Sequence, residues 1–368
     1  TINQNNPVAN QIDLVQTFGF PASDILLVAE PGTQIPLVPV GRLGAVNGTE
    51  VGIYLNKMIE YEQAQKSPEQ TINAKGWMKN VLQTGGPATV NEAAEFAGYL
   101  ETYKRKFVDT LYGGSISTYI KSSTFAIEQQ QSREIEAIMN GGVGVVKYFG
   151  HSSANDLAVN LNFPQNYTNA GKYPFMHVSG CTVGNFFTYN PLRPTGFSAM
   201  SLSEKYTFLP NKGGIGFLGS THWGIAPFLN FYNLDLINNV TNTMYGQSIG
   251  NQIKSTITSL GSSPSTLDYY TRVHLEEINL HGDPALKINN FPKPDYIIED
   301  QFVKLNPTII TVADARFTIN IKMRNIGRAI GDSIRVTVKH KLPNDDVRVL
   351  YDKVIRSIKN IDSIFLTE

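Results

Sequence analysis

The 368-residue chain contains a single cysteine, Cys181, and that scarcity excludes an internal disulfide framework and any multi-cysteine metal site. An excess charge of either sign is also missing. The 31 basic and 31 acidic residues cancel, and neither forms a long block, so there is no electrostatic footprint for nucleic acid or an anionic membrane. No apolar run approaches the roughly 18 to 20 residues that span a bilayer, so no transmembrane segment is expected. The opening TINQNNPVANQ lacks the basic and apolar regions of a signal peptide. No initiator Met stands first and the final IDSIFLTE reads as a strand, so the chain is expected to be a piece of a longer precursor. There is no His-x-x-x-His and no Glu-rich cluster, which argues against a zinc hydrolase, and neither metal nor cofactor is expected. GGIGFLGS is glycine-rich but lacks the Lys-Ser/Thr ending of a phosphate-binding loop and is taken as a central strand.

What is present divides in two. Up to NNFPKPDY (Asn289 to Tyr296), short apolar runs alternate with helical stretches and glycine turns, the pattern of an α/β fold with a mostly parallel sheet and flanking helices. Beyond it, TIITVA, RFTINIKMRN, SIRVTVKHKL and VRVLYDKVI alternate polar and apolar residues, as in a β-sandwich. The expected units are residues 1–291 and 292–368, joined by a short linker stiffened by the two prolines of FPKP.

Within the first unit, FAIEQQQSREIEAIMNGG places Ile127, Ile135, Ile138 and Met139 near helical spacing, with Gly141 and Gly142 as the stop. The next segment, VGVVKYFG, is the nearly unbroken apolar strand of a parallel sheet and ends in HSSAND. A second such strand, YPFMHVSG, ends in CTVGNFF. His151 and Cys181 therefore each follow a buried strand, at the carboxyl edge where open α/β sheets gather their reactive groups. A lone cysteine is most often a buried filler. Here the turn SGCTVG and a neighbouring imidazole supply what a nucleophilic thiolate needs, and the Ser152 and Cys181 N–H groups are placed to meet a developing oxyanion. Of the other histidines, His177 reads as a packed strand residue. His222, in GSTHWGI with Thr221 and Trp223, follows another apolar strand and is expected to line the same crevice. Trp223 reads equally well as a core plug. His281 is placed in a turn entering the last strand, and His274 and His340 lack a glycine turn.

Six ordered motifs carry a family resemblance: PLVPVGRLGA, KMIEYEQ, GGPATVNEAAEF, VVKYFGHSS, FMHVSGCTVGNFF and GGIGFLGSTHWG, followed by LHGDPALKI. Together they resemble the gingipain family of caspase-like cysteine peptidases. The SLSEKYTFLPNKGGIGF segment, read as a serine-rich loop, and the all-β module resemble the PorU-type sortases of the type IX secretion system. The resemblance implies a caspase-like α/β domain, lacking an upstream subdomain, followed by a truncated immunoglobulin-like β-sandwich. It implies Cys181 as nucleophile, His151 as acid/base, and Ser152 and Cys181 as the oxyanion hole. It further implies Glu95 as the floor of a pocket for a basic side chain, with a protein or peptide substrate such as a cargo C-terminal signal. The acyl acceptor would be a lipopolysaccharide amine, other type IX components would be partners, and the location would be the outer membrane or cell surface.

Two departures stand out. Ser152 replaces the glycine that usually follows the histidine, and Thr84 stands where gingipains with a carboxylate behind the histidine carry it. Two other readings therefore stay open: a degenerate relative serving as a scaffold or binding subunit, and an unrelated α/β domain with a buried cysteine. Glu92 and Glu95 also read as a solvated face near a helix N-terminus, where carboxylates favour the helix dipole.

Overall fold

The computed structural model describes residues 15–122, 129–188, 190–193, 196–263, 267–288, 291–311 and 313–367. Helix α1 (Gly48–Lys66) begins where the Asn47 side chain accepts from the Glu50 N–H, and α2 (Ile72–Lys75) is a single turn capped by Thr71. Strand β1 (Asn80–Gly86), helix α3 (Val90–Asp109) and strand β2 (Ser115–Ile120) form one right-sized βαβ unit, followed by helix α4 (Gln129–Gly141) and strand β3 (Val145–Gly150). Helix α4 ends as expected. Gly142, at φ +98°, takes the left-handed stop conformation and donates from its N–H to the Ile138 carbonyl. Ile127, at the expected start of this helix, lies outside the described residues.

Strand β4 (Phe175–Ser179), helix α5 (Leu202–Phe208), strand β5 (Gly216–Ser220), helices α6 (Ala226–Asn238), α7 (Ile249–Gly261) and α8 (Tyr269–Glu277), and strand β6 (Ile278–His281) complete the first unit. The sheet order is β2-β1-β3-β4-β5-β6, all parallel except the β5–β6 pair. The pleat sends Val81, Val145, Phe149, Phe175 and Leu218 into one apolar core, and Leu82, Val146, Tyr148, Met176 and Phe217 into the other. Burial on both faces explains the unbroken apolar runs of β3 and β4.

Two expectations are corrected here. The serine-rich segment is a helix for part of its length, because Ser201 and Glu204 form a reciprocal capping box at the start of α5. His281 ends the last strand of the sheet, and the Gly282–Pro284 turn follows it.

The carboxy-terminal strands are β7 (Tyr296–Ile297), β8 (Val303–Asn306), β9 (Thr318–Asn325), β10 (Ser333–Lys341), β11 (Val347–Arg356) and β12 (Ile361–Thr367). They form an antiparallel sheet, β12-β9-β7 with β8 also on β9, and the hairpin β10–β11. Ile319, Ile321, Met323 and Ile364 bury against Ile334, Val336 and Val338 to make the small core of an immunoglobulin-like sandwich. The segment TIITVA is not the strand its alternation suggests. Pro307 follows Asn306 and offers no N–H to a ladder, so pairing stops there and Ile309 is left 79% exposed. Val312, in the same segment, lies outside the described residues.

The sandwich is clasped to the first unit by a lysine. Lys79 sits at the amino end of β1, fully buried, and its Nζ donates to the carbonyls of Asn325 (3.0 Å), Gly327 (2.8 Å) and Lys359 (2.9 Å). Burial, then the neighbouring Arg324 guanidinium, pushes its ammonium down to about 7. Lys79→Met would leave three buried carbonyls without a donor. The expected result is a loss of roughly 2–4 kcal/mol and early proteolytic release of the sandwich. Unchanged melting and cleavage would show that the clasp does not hold the two parts together.

Candidate active site

The β3–β4 ladder pairs Phe149 with Ser179, so His151 and Cys181 each lie two residues past the same rung. Their backbones run almost in contact. A Cβ on Gly180 would come within 2.2 Å of Ser152 Oγ and 2.6 Å of the Gly150 carbonyl oxygen, so only glycine fits. Past Cys181 the chain turns through Thr182, at φ +54°, whose N–H donates to the His222 carbonyl at 2.6 Å. That bond ties the cysteine loop to the loop after β5.

Each loop is braced. The Tyr148 hydroxyl donates to the His151 carbonyl and accepts from the Ala158 N–H at 3.1 Å, while His151 N–H donates to Gly86 O at 3.0 Å. Ser152, where the resemblance leads one to expect glycine, donates its hydroxyl to the Cys181 carbonyl at 2.8 Å. The serine thus stitches the two loops together. Neither the Ser152 nor the Cys181 N–H donates a hydrogen bond to a described residue. The half-buried thiol rests on the Gly224 backbone, accepting from its N–H at 3.4 Å with the Gly224 carbonyl at 3.7 Å.

Behind the imidazole stands Glu92. Its carboxylate oxygens lie 3.2 and 3.3 Å from His151 Nε2. The carboxylate also accepts the Ala88 N–H at 2.7 Å and the Thr89 N–H at 3.2 Å, and Thr89 returns the bond to the Glu92 N–H. The Ala88 hydrogen bond foremost, with smaller help from His151, holds this carboxyl below its ordinary range. An ionised carboxylate only accepts, so Nε2 is the nitrogen that carries a hydrogen, and in the neutral ring that tautomer leaves the lone pair on Nδ1. Sequence reasoning placed Glu92 on a helix face without this partner. The signals were there: Thr89-x-x-Glu92 is a capping box, and the Gly85-Gly86-Pro87 turn leaves β1 at the edge where His151 leaves β3.

The remaining expected residues divide. Trp223 is 70% exposed, so it is a surface wall and the core-plug reading is wrong. It stacks obliquely on His222 at 5.1 Å, and His222 meets the edge of Phe20, also at 5.1 Å. Thr221 lies elsewhere: it is buried, and its hydroxyl donates to the Ala22 carbonyl at 2.7 Å. Glu95 is exposed on α3 and accepts from the Tyr99 hydroxyl one turn on, so it is not a buried pocket floor. A cleft of about 210 Å³ opens between the histidine loop at Ala154 and Asn155 and the cysteine loop at Asn185 and Phe186. His177 is buried, as a strand residue should be, and His281 stacks on Phe186 at 4.1 Å.

Beneath the site, buried Lys147 donates to Ser179 Oγ at 2.6 Å and Asn233 Oδ1 at 2.9 Å. Burial drives the Lys147 ammonium well below its usual range, and burial followed by Lys147 does the same to His177. This network fixes β3, β4 and α6 relative to one another just under the two loops.

The family model described as peptidase family C25 matches residues 2–289. Among curated proteins none matches. Solved structures with the same fold include a complex of the pro- and mature domains of Porphyromonas gingivalis RgpB, 14% identical, with a TM-score of 0.59 over 94% of this chain and 75% of that one. Another is the Arg-specific cysteine proteinase gingipain R (RgpB), 14% identical, with a TM-score of 0.58 over 94% of this chain and 73% of that one. A third, described only as a protease, is 13% identical with a TM-score of 0.57 over 94% of this chain and 78% of that one.

An exposed ring adds little to folding but much to binding. Trp223→Ala should slow alkylation of Cys181 by an electrophilic peptide roughly 10-fold, with unfolding shifted by less than about 0.5 kcal/mol. Loss of stability with unchanged peptide capture would make Trp223 a packing residue.

Proposed function

Since the chain belongs to peptidase family C25, and so is a cysteine peptidase by family and fold, we propose that it cleaves polypeptides through a thioester on Cys181, with His151 as acid and base. The observation that carries this reading is the shared rung beneath both loops, together with the Glu92 carboxylate on Nε2 of the imidazole. His151 Nδ1 takes the thiol proton and the sulfur attacks the scissile carbonyl. The oxyanion is received by the unengaged N–H groups of Ser152 and Cys181. The imidazolium then protonates the leaving amine, and the acyl group remains on sulfur as a thioester. Water releases it as a carboxylic acid; an amine releases it as a new amide. Glu92 is a positioning residue that keeps the proton on Nε2 through both steps.

The narrower reading is that this is a sortase of the type IX kind, acting on a cargo signal at the outer membrane or cell surface beside other secretion components. The thiol chemistry would then occupy the unit over residues 1–291, with 292–368 as a spacer or adhesion module. In favour is the open, aromatic-walled crevice, which leaves room for a second substrate at the thioester. A non-catalytic scaffold is the competing reading. Its main sequence grounds were Ser152 and Thr84, and the Ser152–Cys181 bond and the Glu92 contact weigh against it.

Cys181→Ala should abolish peptide cleavage, and His151→Ala should slow labelling of the thiol by iodoacetamide at neutral pH by roughly 100-fold or more. Glu92→Gln should lower kcat about 10- to 100-fold with KM nearly unchanged, since it touches the base and not the substrate. Equal labelling of wild type and His151→Ala would sink the dyad. Adding a primary amine to the assay separates hydrolysis from transfer: amide product marks a transpeptidase, acid product alone a hydrolase.

Specificity follows from exposure. A solvent-exposed ion pair is worth about 0.2–1 kcal/mol, so Glu95 can favour an Arg or Lys donor over Ala by no more than about 5-fold. Glu95→Lys should remove that margin. A preference for basic residues above about 100-fold that vanishes in Glu95→Lys would mean that the carboxylate is enclosed when substrate binds.

A further inference from the structure

His274, on α8, is a histidine that the Cys181–His151 pair does not use, and it is only 2% exposed. Its Nε2 accepts the Ile225 N–H at 2.9 Å, and its Nδ1 lies 2.7 Å from the Tyr270 carbonyl oxygen. A carbonyl oxygen only accepts. Nδ1 therefore carries the hydrogen, and Nε2 keeps the lone pair that meets the Ile225 N–H. Phe228 stacks on the ring with centroids 5.6 Å apart, so the imidazole is held at both nitrogens and on one face. Two acids stand near. Asp268 is engaged as the N-cap of α8, accepting the Thr271 N–H at 2.7 Å, and Glu277 Oε1 is 3.9 Å from Nε2, beyond hydrogen-bond reach. Burial pushes the Glu277 carboxyl up to about 8, so at neutral pH it is largely the uncharged acid and does not draw a second proton onto the ring. Burial lowers the His274 imidazole in turn, against smaller opposing pulls from the Tyr270 carbonyl and Asp268. The ring stays neutral.

The bond at Nε2 reaches the thiol through a single peptide group. The Gly224 carbonyl and the Ile225 N–H belong to one planar unit and point in opposite directions. The N–H ends on His274, and the carbonyl oxygen lies 3.7 Å from Cys181 Sγ. The N–H of Gly224 itself donates to that sulfur at 3.4 Å. A side chain at Gly224 would come within 2.6 Å of Leu229 Cδ1 and 3.2 Å of the Gly180 carbonyl group, so the thiol's seat has to be glycine. Glycine has no side chain to fix its backbone. The orientation of this seat therefore comes from the hydrogen bonds on either side of it, and the one from within the fold is to His274.

We propose that His274 is a positioning residue for the nucleophile: by holding the Gly224–Ile225 peptide, its imidazole fixes where the Gly224 N–H meets the Cys181 sulfur. When the thiol gives up its proton, the sulfur becomes an anion, and an N–H already in place stabilises it. A peptide released from His274 is free to swing its carbonyl toward the sulfur, and a carbonyl oxygen disfavours the thiolate. His274 is buried beneath this peptide and touches no substrate, so its effect falls on the step that forms and uses the thiolate. The consequence for turnover rests on the peptidase reading above; the effect on the thiol does not.

The experiment compares wild type with His274→Leu, which removes the acceptor, and His274→Gln, whose amide oxygen can replace Nε2 as the acceptor of the Ile225 N–H. His274→Leu should slow iodoacetamide alkylation of Cys181 at neutral pH and lower kcat for peptide cleavage, each by roughly 5- to 10-fold, with KM changed by less than about 2-fold. His274→Gln should bring both rates back to within about 2-fold of wild type. Equal alkylation in wild type and His274→Leu overturns the proposal. So does an equal loss in both variants, which marks His274 as a packing residue. If the variants do not fold, nitrogen-15 NMR of histidine-labelled wild type decides: six histidines give six rings, and the buried one whose shifts do not titrate should show the neutral Nδ1–H tautomer with Nε2 accepting. A protonated ring or an Nε2–H tautomer at neutral pH overturns the proposal. Alkylation and tautomer need no peptide cleavage, so a wild type that alkylates readily and cleaves nothing would sink the peptidase reading while His274 is still judged on its own readouts.

Discussion

Everything at the candidate site depends on how closely the carboxyl ends of β3 and β4 approach each other. Parallel strands lie about 4.8 Å apart, so two side chains past one rung can meet only if the loops bearing them do not splay. Here the space a Gly180 side chain would need is already occupied by Ser152 Oγ and the Gly150 carbonyl, and the Ser152 hydroxyl bonds the Cys181 carbonyl across the gap. The cost of so tight a contact is conformational, and it is met by two braces. Tyr148 pins the histidine loop from below, and Thr182, in a left-handed conformation, pins the cysteine loop to His222.

Ser152 changes meaning in this light. As a replacement for glycine it suggests a weakened site, because a side chain restricts the backbone that must present an N–H. In the structure its side chain makes a cross-loop bond that glycine cannot make, while its N–H stays unengaged by the described residues. Thr84 changes meaning in a similar way. Its hydroxyl is buried without a partner on β1, and the carboxylate that faces His151 comes from the first turn of α3, eight residues later in the chain. A helix N-terminus is a natural place for it, since the Ala88 and Thr89 N–H groups hold the carboxylate while it holds the imidazole.

This explains what could be read from the chain alone. Buried parallel strands announce themselves as unbroken apolar runs, so β3, β4 and β5 and the positions of His151 and Cys181 at their ends were legible, as were β9 to β11 of the sandwich from strict alternation. The position of β8 was not, because a four-residue edge strand with every residue exposed leaves no burial pattern, whereas the neighbouring isoleucines of TIITVA mimic one. Side-chain partnerships across the fold were illegible for a different reason. The Glu92–His151 contact joins residues 59 apart and depends on the β1–β3 register. Phe20 meets His222 from almost the far end of the catalytic unit. The contrast between Glu92 and Glu95, one turn apart, is decided only by which side of α3 faces the histidine loop.

Charge inside this protein is handled in a way its neutral composition conceals. Lys57, Lys79 and Lys147 are all buried, and the hydrogen-bond acceptors around their ammonium groups are carbonyls, a hydroxyl and an amide, with no carboxylate. Lys57 takes the Tyr206 and Thr207 carbonyls at the end of α5, where the helix dipole is negative, and Lys79 takes three carbonyls of the sandwich. Such lysines join backbone segments without fixing a countercharge in the interior. Glu277 is the converse case, a buried carboxyl group with no donor among the described residues. A cation in the core could have answered it, yet Lys57 and Lys79 are spent on backbone carbonyls, Lys147 on the Ser179 and Asn233 side chains, and His274 is locked neutral. Burial settles the matter by protonation: it pushes the Glu277 carboxyl up to about 8, so the group sits in the interior as the uncharged acid at neutral pH.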